Sequence, residues 1–225
     1  MKRYVFDIET LKTADEVGGW KNKHCMGVAV LCVMDFDSGE EFVFSDDYPG
    51  ALPLDGVGGF VDNSVLMGHN IRCFDLRLVQ QILLDRGEDP HLAVGTLDTG
   101  TRRISLGSMS EATFGTHKQM DGALAPLEWR NGPVAKKKVV DYCKDDVNKT
   151  SELIKFGIDK GYVFYFTKEG IKKTLMVDWK KQLDDIRLEV LYPWCLGQFR
   201  VAKKNWQCAR CASKVLCKER SGVEL

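Results

Sequence analysis

Residues 4–10, YVFDIET, open the chain as a short apolar strand that carries two carboxylates. Because side chains alternate along a strand, Asp7 and Glu9 are predicted to share one face. Two such charges about 4 Å apart repel by roughly 4 kcal/mol at the effective dielectric near a protein surface. Either these acids point into water, as is typical of an isolated D-x-E at a strand end, or they hold a metal ion. The second alternative requires further acids from elsewhere in the chain.

The composition indicates one domain with a tail. The chain has 225 residues, of which 44% are hydrophobic, enough for one good core and a small appendage. No uninterrupted apolar stretch approaches the roughly 18 residues of a membrane helix, and the first ten residues lack the apolar segment of a signal peptide. We therefore expect a soluble, cytoplasmic protein with no membrane partner.

The formal net charge of zero conceals an uneven distribution of charge. Residues 158–225 carry 14 Lys and Arg against 8 Asp and Glu, whereas residues 1–157 carry 18 against 24. An acidic body suits cation binding, and a basic tail suits a polyanion such as nucleic acid, although either can be a solvated face.

The order of predicted elements is typical of an α/β sheet domain. Apolar and alternating stretches predict strands, helical spacing predicts helices, and the Gly- and Thr-rich residues 97–131 are predicted to be less regular. The predicted strands are residues 4–10, 25–34, 41–45 and 64–68, and the predicted helices are residues 54–61, 74–84, 108–114 and 133–156. Residues 162–167 and 173–177 predict a β-hairpin. We divide the chain into a sheet domain at residues 1–157 and a β-hairpin with a basic, cysteine-rich module at residues 158–225.

Two further segments supply acids that can complete a site with the first strand. Asp75 falls in the first turn of the helix predicted for residues 74–84, where a simple capping role is the alternative. Asp146 lies on the long predicted helix, one turn from Tyr142 and on the same face. Asp145 is rotated away by about 100° and is predicted to be solvated.

Together these segments resemble the DnaQ-like 3′→5′ exonucleases, the DEDD superfamily, whose members carry four acids in three motifs. Three motifs in chain order carry the resemblance: Asp7 and Glu9 in FDIET, Asn70, Phe74 and Asp75 in Asn-x3-aromatic-Asp, and Tyr142 with Asp146 in Tyr-x3-Asp. Position 141 is Asp141 rather than histidine, which favours the tyrosine subclass. Residues 104–147 are also similar to bacterial and phage exonucleases of this type, and the resemblance covers about residues 1–157.

The resemblance implies an RNase H-like mixed sheet flanked by helices and a metal-dependent 3′→5′ exonuclease. Such an enzyme hydrolyses single-stranded or frayed nucleic acid to nucleoside 5′-monophosphates, with two divalent ions roughly 4 Å apart. Four carboxylates supply the hard oxygen ligands that Mg²⁺ or Mn²⁺ prefers.

The same resemblance implies a role for each side chain. Asp7 would bridge both ions, Glu9 and Asp146 would hold the ion that activates water, and Asp75 would support the second ion. Tyr142 would orient the attacking water, since its ordinary pKa near 10 is poorly matched to a base at neutral pH. An ordinary half-buried helix tyrosine is the alternative.

Other residues are candidates for contacts to the substrate. His69 and Asn70 are candidate contacts to the terminal nucleotide, with a hydrogen-bonded structural role as the alternative for His69. Lys118 and Arg130 are candidate phosphate contacts, with solvated side chains as the alternative.

Two other functions stay open at this point. One is a catalytically weak nucleic-acid-binding or docking module of a replication or repair complex, against which the complete set of acids and the tyrosine argue. The other is an intact domain that acts on a modified nucleotide or dinucleotide, which a preference for short substrates would reveal. The expected partners are nucleic acid, with DNA favoured over RNA, and a helicase or polymerase, with DNA repair as an expected process.

The last part of the chain has cysteines spaced as in a metal site. Cys208, Cys211 and Cys217 form C-x2-C-x5-C, and Cys195 is the nearest candidate for a fourth ligand. This pattern resembles the C-terminal cysteines of iron-sulfur RecB-like nucleases, which implies a [4Fe-4S] cluster. Zinc is the main alternative because an all-thiolate site serves both metals, and unligated thiols are the third.

Basic and aromatic residues surround these cysteines. Lys203 and Lys204 are the candidate contacts to a nucleic-acid backbone, and the whole tail is predicted to present substrate to the acidic site. The four remaining cysteines are predicted to lie in the apolar core: Cys25, Cys32, Cys73 and Cys143.

Overall fold

The protein has the mixed α/β architecture that the sequence predicts. This computed structural model describes residues 1–100, 104–117 and 120–191. The strands within these ranges are β1 (Arg3–Thr10), β2 (Val28–Asp35), β3 (Glu41–Phe44), β4 (Val65–Gly68), β5 (Leu92–Asp98), β6 (Tyr162–Phe166), β7 (Lys172–Met176) and β8 (Glu189–Leu191). The α-helices are α1 (Val57–Val61), α2 (Asp75–Asp85), α3 (Leu106–Phe114), α4 (Ala125–Trp129), α5 (Pro133–Lys160) and α6 (Trp179–Asp184). Short 3₁₀ helices span Asp15–Val17, Trp20–Met26, Leu54–Gly56 and Gly122–Leu124.

Six strands form one mixed sheet in the order β3-β2-β1-β4-β5-β8. The first three strands of the chain are joined antiparallel, β4 is parallel to both β1 and β5, and β8 is antiparallel to β5. β6 and β7 form a separate antiparallel hairpin. A mixed sheet flanked by helices is compatible with the predicted RNase H-like fold.

Alternation along β1 separates two apolar cores. Tyr4, Phe6 and Ile8 are buried on one face of the sheet, in a cluster that includes residues of α1 and α2. Val5 is buried on the other face, in a cluster with residues of α3, α4 and α5. Asp7 and Glu9 have the same parity as Val5, and they therefore lie on the face that α5 covers.

β1 extends well beyond its neighbour β4. The two strands pair only from Arg3 to Val5, opposite Val65 to Met67, whereas β1 remains paired with β2 as far as Thr10. At the end of β4, a Cβ on Gly68 would lie 2.0 Å from Ile71 Cγ2 and 2.9 Å from the Phe6 carbonyl oxygen, so only glycine fits. The carboxyl end of β1 is thereby left open on one side.

Two strands were missed by the sequence predictions. One is β8, and the other is β5, most of which precedes residue 97, where the predicted irregular region begins; β5 is a central strand between β4 and β8. Gly95 lies within β5, where a Cβ would be in tight contact with the Ile186 side chain, at 3.2 Å. Two 3₁₀ helices begin within residues 12–23, for which no strand or helix was predicted. The other predicted strands, helices and hairpin are confirmed to within a few residues at their ends.

The described part of the chain after residue 157 packs on the sheet domain. The Ser108 hydroxyl bonds both the N–H and the carbonyl of Phe166, and Thr113 does the same with Phe164. Trp179 is buried against Gly157 of α5, and β8 extends the main sheet. The division at residue 157 stays a prediction. None of the helices in the described ranges has the length and apolarity needed to cross a bilayer.

Candidate metal centre

Three carboxylates from two elements meet above the open end of β1. Asp7 and Glu9 come from β1, and Asp146 comes from α5, which crosses that face of the sheet. One oxygen from each of the three side chains lies within 4.8 Å of the other two. Asp7 and Asp146 are partly buried, and Glu9 is buried. Carboxylates this close and this poorly hydrated can hold a metal ion between them.

Asp75 approaches the same place from the start of α2. Its side chain is only 2% exposed, and the backbone N–H of Ile8 donates to it. That N–H is available because β4 has already ended, so no strand pairs with this edge of β1. Among the described residues, the Oδ1 atom of Asp75 is buried and has no hydrogen-bond partner. A buried carboxylate oxygen without a donor needs a cation, a proton or water.

Burial and mutual repulsion raise the pKa of two of these acids. The pKa of Asp7 lies well above its ordinary value because the group is desolvated and because Asp75, Glu9 and Asp146 are close to it. Burial, with a contribution from Asp98, raises the pKa of Asp75 to about 8, although backbone N–H groups partly oppose this. Such shifts are typical of carboxylates crowded together in a poorly hydrated site, an arrangement that favours cation binding.

Tyr142 lies one turn before Asp146 on α5, and its hydroxyl donates a hydrogen bond to the Asp146 carboxylate. The ring is buried, and burial together with the nearby carboxylates raises its pKa above the ordinary value. The phenol therefore keeps its proton at neutral pH and acts as a hydrogen-bond donor rather than as a base. A Cβ on Gly122 would lie 3.5 Å from the Tyr142 hydroxyl oxygen, so this segment adjoins the hydroxyl.

A pair of buried thiols lies beneath the acids, and sequence reasoning did not find it. The Cys143 thiol donates to the Asp7 carbonyl oxygen at 3.3 Å, and it also contacts Cys32 of β2. Both cysteines are buried, as predicted, and they join α5 to β1 and β2 directly under Asp7. Cys25 and Cys73 are exposed, so their predicted place in the core is wrong. Cys25 lies in the 3₁₀ helix Trp20–Met26 before β2, and Cys73 lies in the turn before α2.

The turn after β4 is organised by the end of β5. Asp98 accepts hydrogen bonds from the N–H groups of Asn70 and Gly100 at 2.7 and 2.8 Å. The Thr99 hydroxyl lies 3.1 Å from Nδ1 of His69, and it donates to the Gly68 carbonyl. His69 lines the acidic cleft, whereas Asn70 is an exposed residue with a φ of 65°. Asn70 suits this turn because asparagine tolerates the left-handed region, and its contact to substrate stays a prediction.

The acids line a cleft of about 960 Å³ that is large enough for a nucleotide-sized ligand. Besides the four carboxylates, Tyr142 and His69, the lining comes from the segment after β1, the start of α2 and the segment that enters α4. The lining includes Lys12, Trp20 and Phe74.

Several charged side chains that the sequence left open have structural partners. Arg130 donates to the Leu11 carbonyl at 2.7 Å and to Glu16 at 2.9 Å, and it holds the pKa of Glu16 down at about 2. This contact joins α4 to the segment after β1. Asp145 forms an ion pair with Lys149 on the same helix, so it is paired rather than simply solvated.

Some predicted site residues lie outside the described residues. These are Lys118, Cys195, Lys203, Lys204, Cys208, Cys211 and Cys217. The nature of the cysteine site, and the contact of the basic tail with nucleic acid, therefore stay predictions.

No protein-family model and no curated protein matches the chain. Among solved structures, the family B DNA polymerase from the hyperthermophilic archaeon Pyrobaculum calidifontis is similar in fold, with a TM-score of 0.54 and 19% identity. The match covers 70% of this chain and 24% of the polymerase chain, so this chain spans about a quarter of that protein's length. At this identity the similarity supports the fold alone.

Proposed function

We propose that the protein is a metal-dependent 3′→5′ exonuclease that hydrolyses phosphodiester bonds of single-stranded or frayed nucleic acid. The proposal combines the DnaQ-like motif resemblance with the geometry of the acidic cleft. A fold shared with part of a DNA polymerase is consistent with a protein that processes nucleic acid.

The observation that carries the proposal is the convergence of four carboxylates distant in sequence. Asp7, Glu9 and Asp146 approach within 4.8 Å of one another, and Asp75 is buried beside Asp7 with an oxygen that has no partner in the described chain. Keeping these groups ionised at neutral pH without a cation is unfavourable, because burial and like charges both oppose it. The convergence of these four carboxylates in one cleft therefore supports a function in cation binding.

The donor set fits Mg²⁺ or Mn²⁺. Hard divalent cations prefer carboxylate oxygens to sulfur or imidazole ligands. The carboxylates that would hold the cations are Asp7, Glu9, Asp146 and Asp75. When bound, such cations supply Lewis-acid stabilisation of the negative charge that develops during phosphodiester hydrolysis.

The protein's own side chains supply orientation. Tyr142 retains its proton and donates it in a hydrogen bond to Asp146, and its hydroxyl oxygen at the cleft can accept a hydrogen bond from a water molecule and so orient it. His69 is held by Thr99 at the edge of the same cleft and is suited to contact the terminal nucleotide. The Cys143 thiol fixes the backbone of Asp7, which limits movement of the central carboxylate.

The predicted C-terminal module belongs to the same proposal. Cys195, Cys208, Cys211 and Cys217 would bind an iron-sulfur cluster or zinc, and the basic residues around them would hold the nucleic-acid backbone. An absorbance spectrum and metal analysis of anaerobically purified protein separate the two metals. Visible absorption together with bound iron indicates a cluster, whereas colourless protein with bound zinc indicates the alternative.

Hydrolysis of 5′-labelled single strands tests the proposed activity. DNA and RNA oligonucleotides are incubated with Mg²⁺ or Mn²⁺ and with three proteins: the unaltered chain, Asp146→Asn and Asp159→Asn. Asp159 is a matched control because it is an exposed acid on the same helix, paired with Lys160, about 20 Å further along at 1.5 Å per residue.

The proposal predicts a ladder that shortens from the 3′ end for the unaltered protein and for Asp159→Asn. Asp146→Asn is expected to lower the rate by at least 100-fold, because it removes a ligand from the metal centre. Equal rates for Asp146→Asn and the unaltered protein, or cleavage without added metal in the presence of chelator, would contradict the assignment.

A further inference from the structure

We infer that the outer face of the β6-β7 hairpin is a second contact surface for nucleic acid, which binds the strand several nucleotides away from the end held in the acidic cleft. The inference rests on the proposed function for its choice of nucleic acid as ligand. It assigns a role to a hairpin that none of the sequence motifs includes. It also specifies the substrate as a strand long enough to reach from the cleft to the hairpin.

The hairpin has an inner and an outer face because side chains alternate along each strand. Val163 of β6 pairs with Leu175 of β7, and both pack in the cluster that contains residues of α3 and α5. Tyr162, Phe164 and Phe166 therefore lie on the opposite face. All three are partly exposed, and within the described ranges none belongs to either apolar core. The packing of the cores therefore does not account for three aromatic residues at alternate positions.

The outer face continues into a row of aromatic rings. Centroids of adjacent rings lie 5.2 to 5.9 Å apart in the order Phe164, Tyr162, Phe156 and Phe114. The row crosses from β6 over α5 to the last residue of α3, where Phe114 is 36% exposed. A contiguous patch of exposed aromatic side chains is typical of an interaction site.

Positive charge adjoins this row. Residues 168–173, KEGIKK, carry three lysines and one glutamate. Lys168, Lys172 and Lys173 are exposed, and in the part of the chain that the structure describes none of them forms a salt bridge. The Lys172 Nζ atom lies 4.3 Å from the centroid of the Phe164 ring. Lysines beside aromatic rings fit the phosphates and bases of nucleic acid, whereas an apolar partner would leave these charges unmatched.

α3 holds the hairpin in place along the edge of β6 that β7 does not occupy. The Phe164 N–H donates to the Thr113 hydroxyl at 3.1 Å, and that hydroxyl donates to the Phe164 carbonyl at 3.2 Å. Ser108 makes the same pair of bonds with Phe166, both at 2.9 Å. The rings are thus presented on an ordered strand, which reduces the entropy lost when a ligand binds.

The row lies within reach of the acidic cleft. Phe156 follows Asp146 by ten residues on α5, which is about 15 Å at 1.5 Å per residue. Between them, Lys149 donates to the His117 carbonyl at 3.2 Å and so ties the segment after Phe114 to α5. At 3.4 Å for each nucleotide of a stacked strand, about 4 or 5 nucleotides bridge this distance.

Two physical terms set the size of the expected effect. Removing an aromatic ring on which a base stacks weakens single-strand binding by roughly 5- to 150-fold in Kd. Losing one phosphate contact lowers the slope of log K against log salt concentration by about 0.7 for a single strand. A strand that fills only the cleft should show neither effect.

The test compares strands that reach the hairpin with strands that do not, and it measures binding separately from hydrolysis. Two thymidine oligonucleotides carry phosphorothioate linkages at the 3′ end and are about 3 and about 15 nucleotides long, or about 10 and about 50 Å when stacked. Fluorescence anisotropy of the 5′-labelled long strand in Mg²⁺ gives its Kd, and displacement of that strand gives the Kd of the short one.

The measurement uses the unaltered chain and three variants. One variant combines Lys168→Glu with Lys172→Glu, and another is Phe164→Leu, which removes the ring but keeps an apolar side chain. The control combines Lys180→Glu with Lys181→Glu, which makes the same change of charge at two exposed lysines of α6. The two charge variants alter only exposed side chains, so they keep the test independent of whether Phe164→Leu folds.

Both hairpin variants are expected to weaken binding of the long strand by about fivefold or more, and the charge variant should also lower the salt slope. The control should change neither quantity, and all four proteins should bind the short strand equally. Unchanged binding of the long strand by the hairpin charge variant overturns the inference and leaves the aromatic row to a protein partner. Equal losses in the hairpin and control charge variants, or on both strands, also overturn it.

The unaltered protein provides a measurement that depends on no variant. It should bind the long strand by about tenfold or more over the short one, and equal affinities would contradict a second surface. Failure of the proposed function is distinguishable. A protein that binds long strands through the hairpin but never shortens them retains this surface and loses the nuclease assignment. A protein that shortens strands and binds them equally well in every variant does the reverse.

Discussion

Replacing Asp75 with asparagine is expected to stabilise the metal-free protein near neutral pH. Asparagine has nearly the same shape as aspartate and can still accept the N–H of Ile8, but it carries no charge. The substituted group is 2% exposed, and its pKa is raised from the ordinary value of 3.8 to about 8, with burial as the main cause. Near neutral pH the folded protein must therefore either keep this carboxyl group protonated or bury its negative charge. In the unfolded chain the same group is ionised and exposed to water.

The sign and the size follow from linkage. A group whose pKa is higher in the folded state contributes stability below its unfolded pKa, near 4, and loses it as the pH rises toward about 8. At about pH 7 the shift corresponds to about 4 kcal/mol, at roughly 1.4 kcal/mol for each pKa unit. Neighbouring Asp7 shares part of this cost, so we expect Asp75→Asn to gain at least about 2 kcal/mol. For a chain of this length that gain raises Tm by about 4–8 °C.

Thermal unfolding in chelator, at about pH 4 and about pH 7, measures this gain. Asp85→Asn is the matched control, because Asp85 is exposed at the other end of α2 and bonds Gln81. We expect the gain of Asp75→Asn at about pH 7 to disappear near pH 4, and the control to change little at either pH. Added Mn²⁺ should reverse the order, since it stabilises the unaltered protein more than the variant. An Asp75→Asn variant that melts at the same or a lower temperature near pH 7 without metal would refute the reasoning.

Two further predictions concern Tyr142 and Gly157. Tyr142→Phe is expected to lower kcat for strand shortening by roughly 10- to 100-fold with little change in KM, because it removes an orienting hydrogen bond but no metal ligand. Steady-state kinetics measure both constants, and a change confined to KM would contradict the expectation. Gly157→Ala is expected to destabilise by about 1–3 kcal/mol despite the better helix propensity of alanine, because the new Cβ would lie 2.3 Å from the Trp179 ring. Denaturant unfolding checks this against Gly59→Ala, where the added Cβ meets open space, and equal stability of the two variants would refute the described packing of α6.

Much of the site's architecture could be predicted from local rules. The alternation in β1 predicts that Asp7 and Glu9 share a face, and helical spacing predicts that Tyr142 and Asp146 do. These are properties of single elements, so no knowledge of the tertiary structure is needed. Predicting that α5 packs over β1 required the motif resemblance, because no local sequence pattern specifies which helix covers which strand.

The parts that were missed depend on contacts between distant segments. β5 contains Gly95, which reads as a loop signal along the chain but packs against Ile186 in the fold, where a Cβ would be in tight contact. The thiol of Cys143 looks like an ordinary core side chain, and its bond to the Asp7 carbonyl appears only when α5 is in place. Trp20 lies in a polar stretch without strand or helix periodicity, so sequence patterns gave no reason to join it to Phe74.

The most direct test of the account is a calorimetric titration of Mn²⁺ into metal-free protein. We expect saturable binding by the unaltered chain and by Asp159→Asn, and loss of that binding in Asp146→Asn. Identical titrations for all three proteins would contradict it, because the acids brought together on β1, α2 and α5 would then not be the ligands.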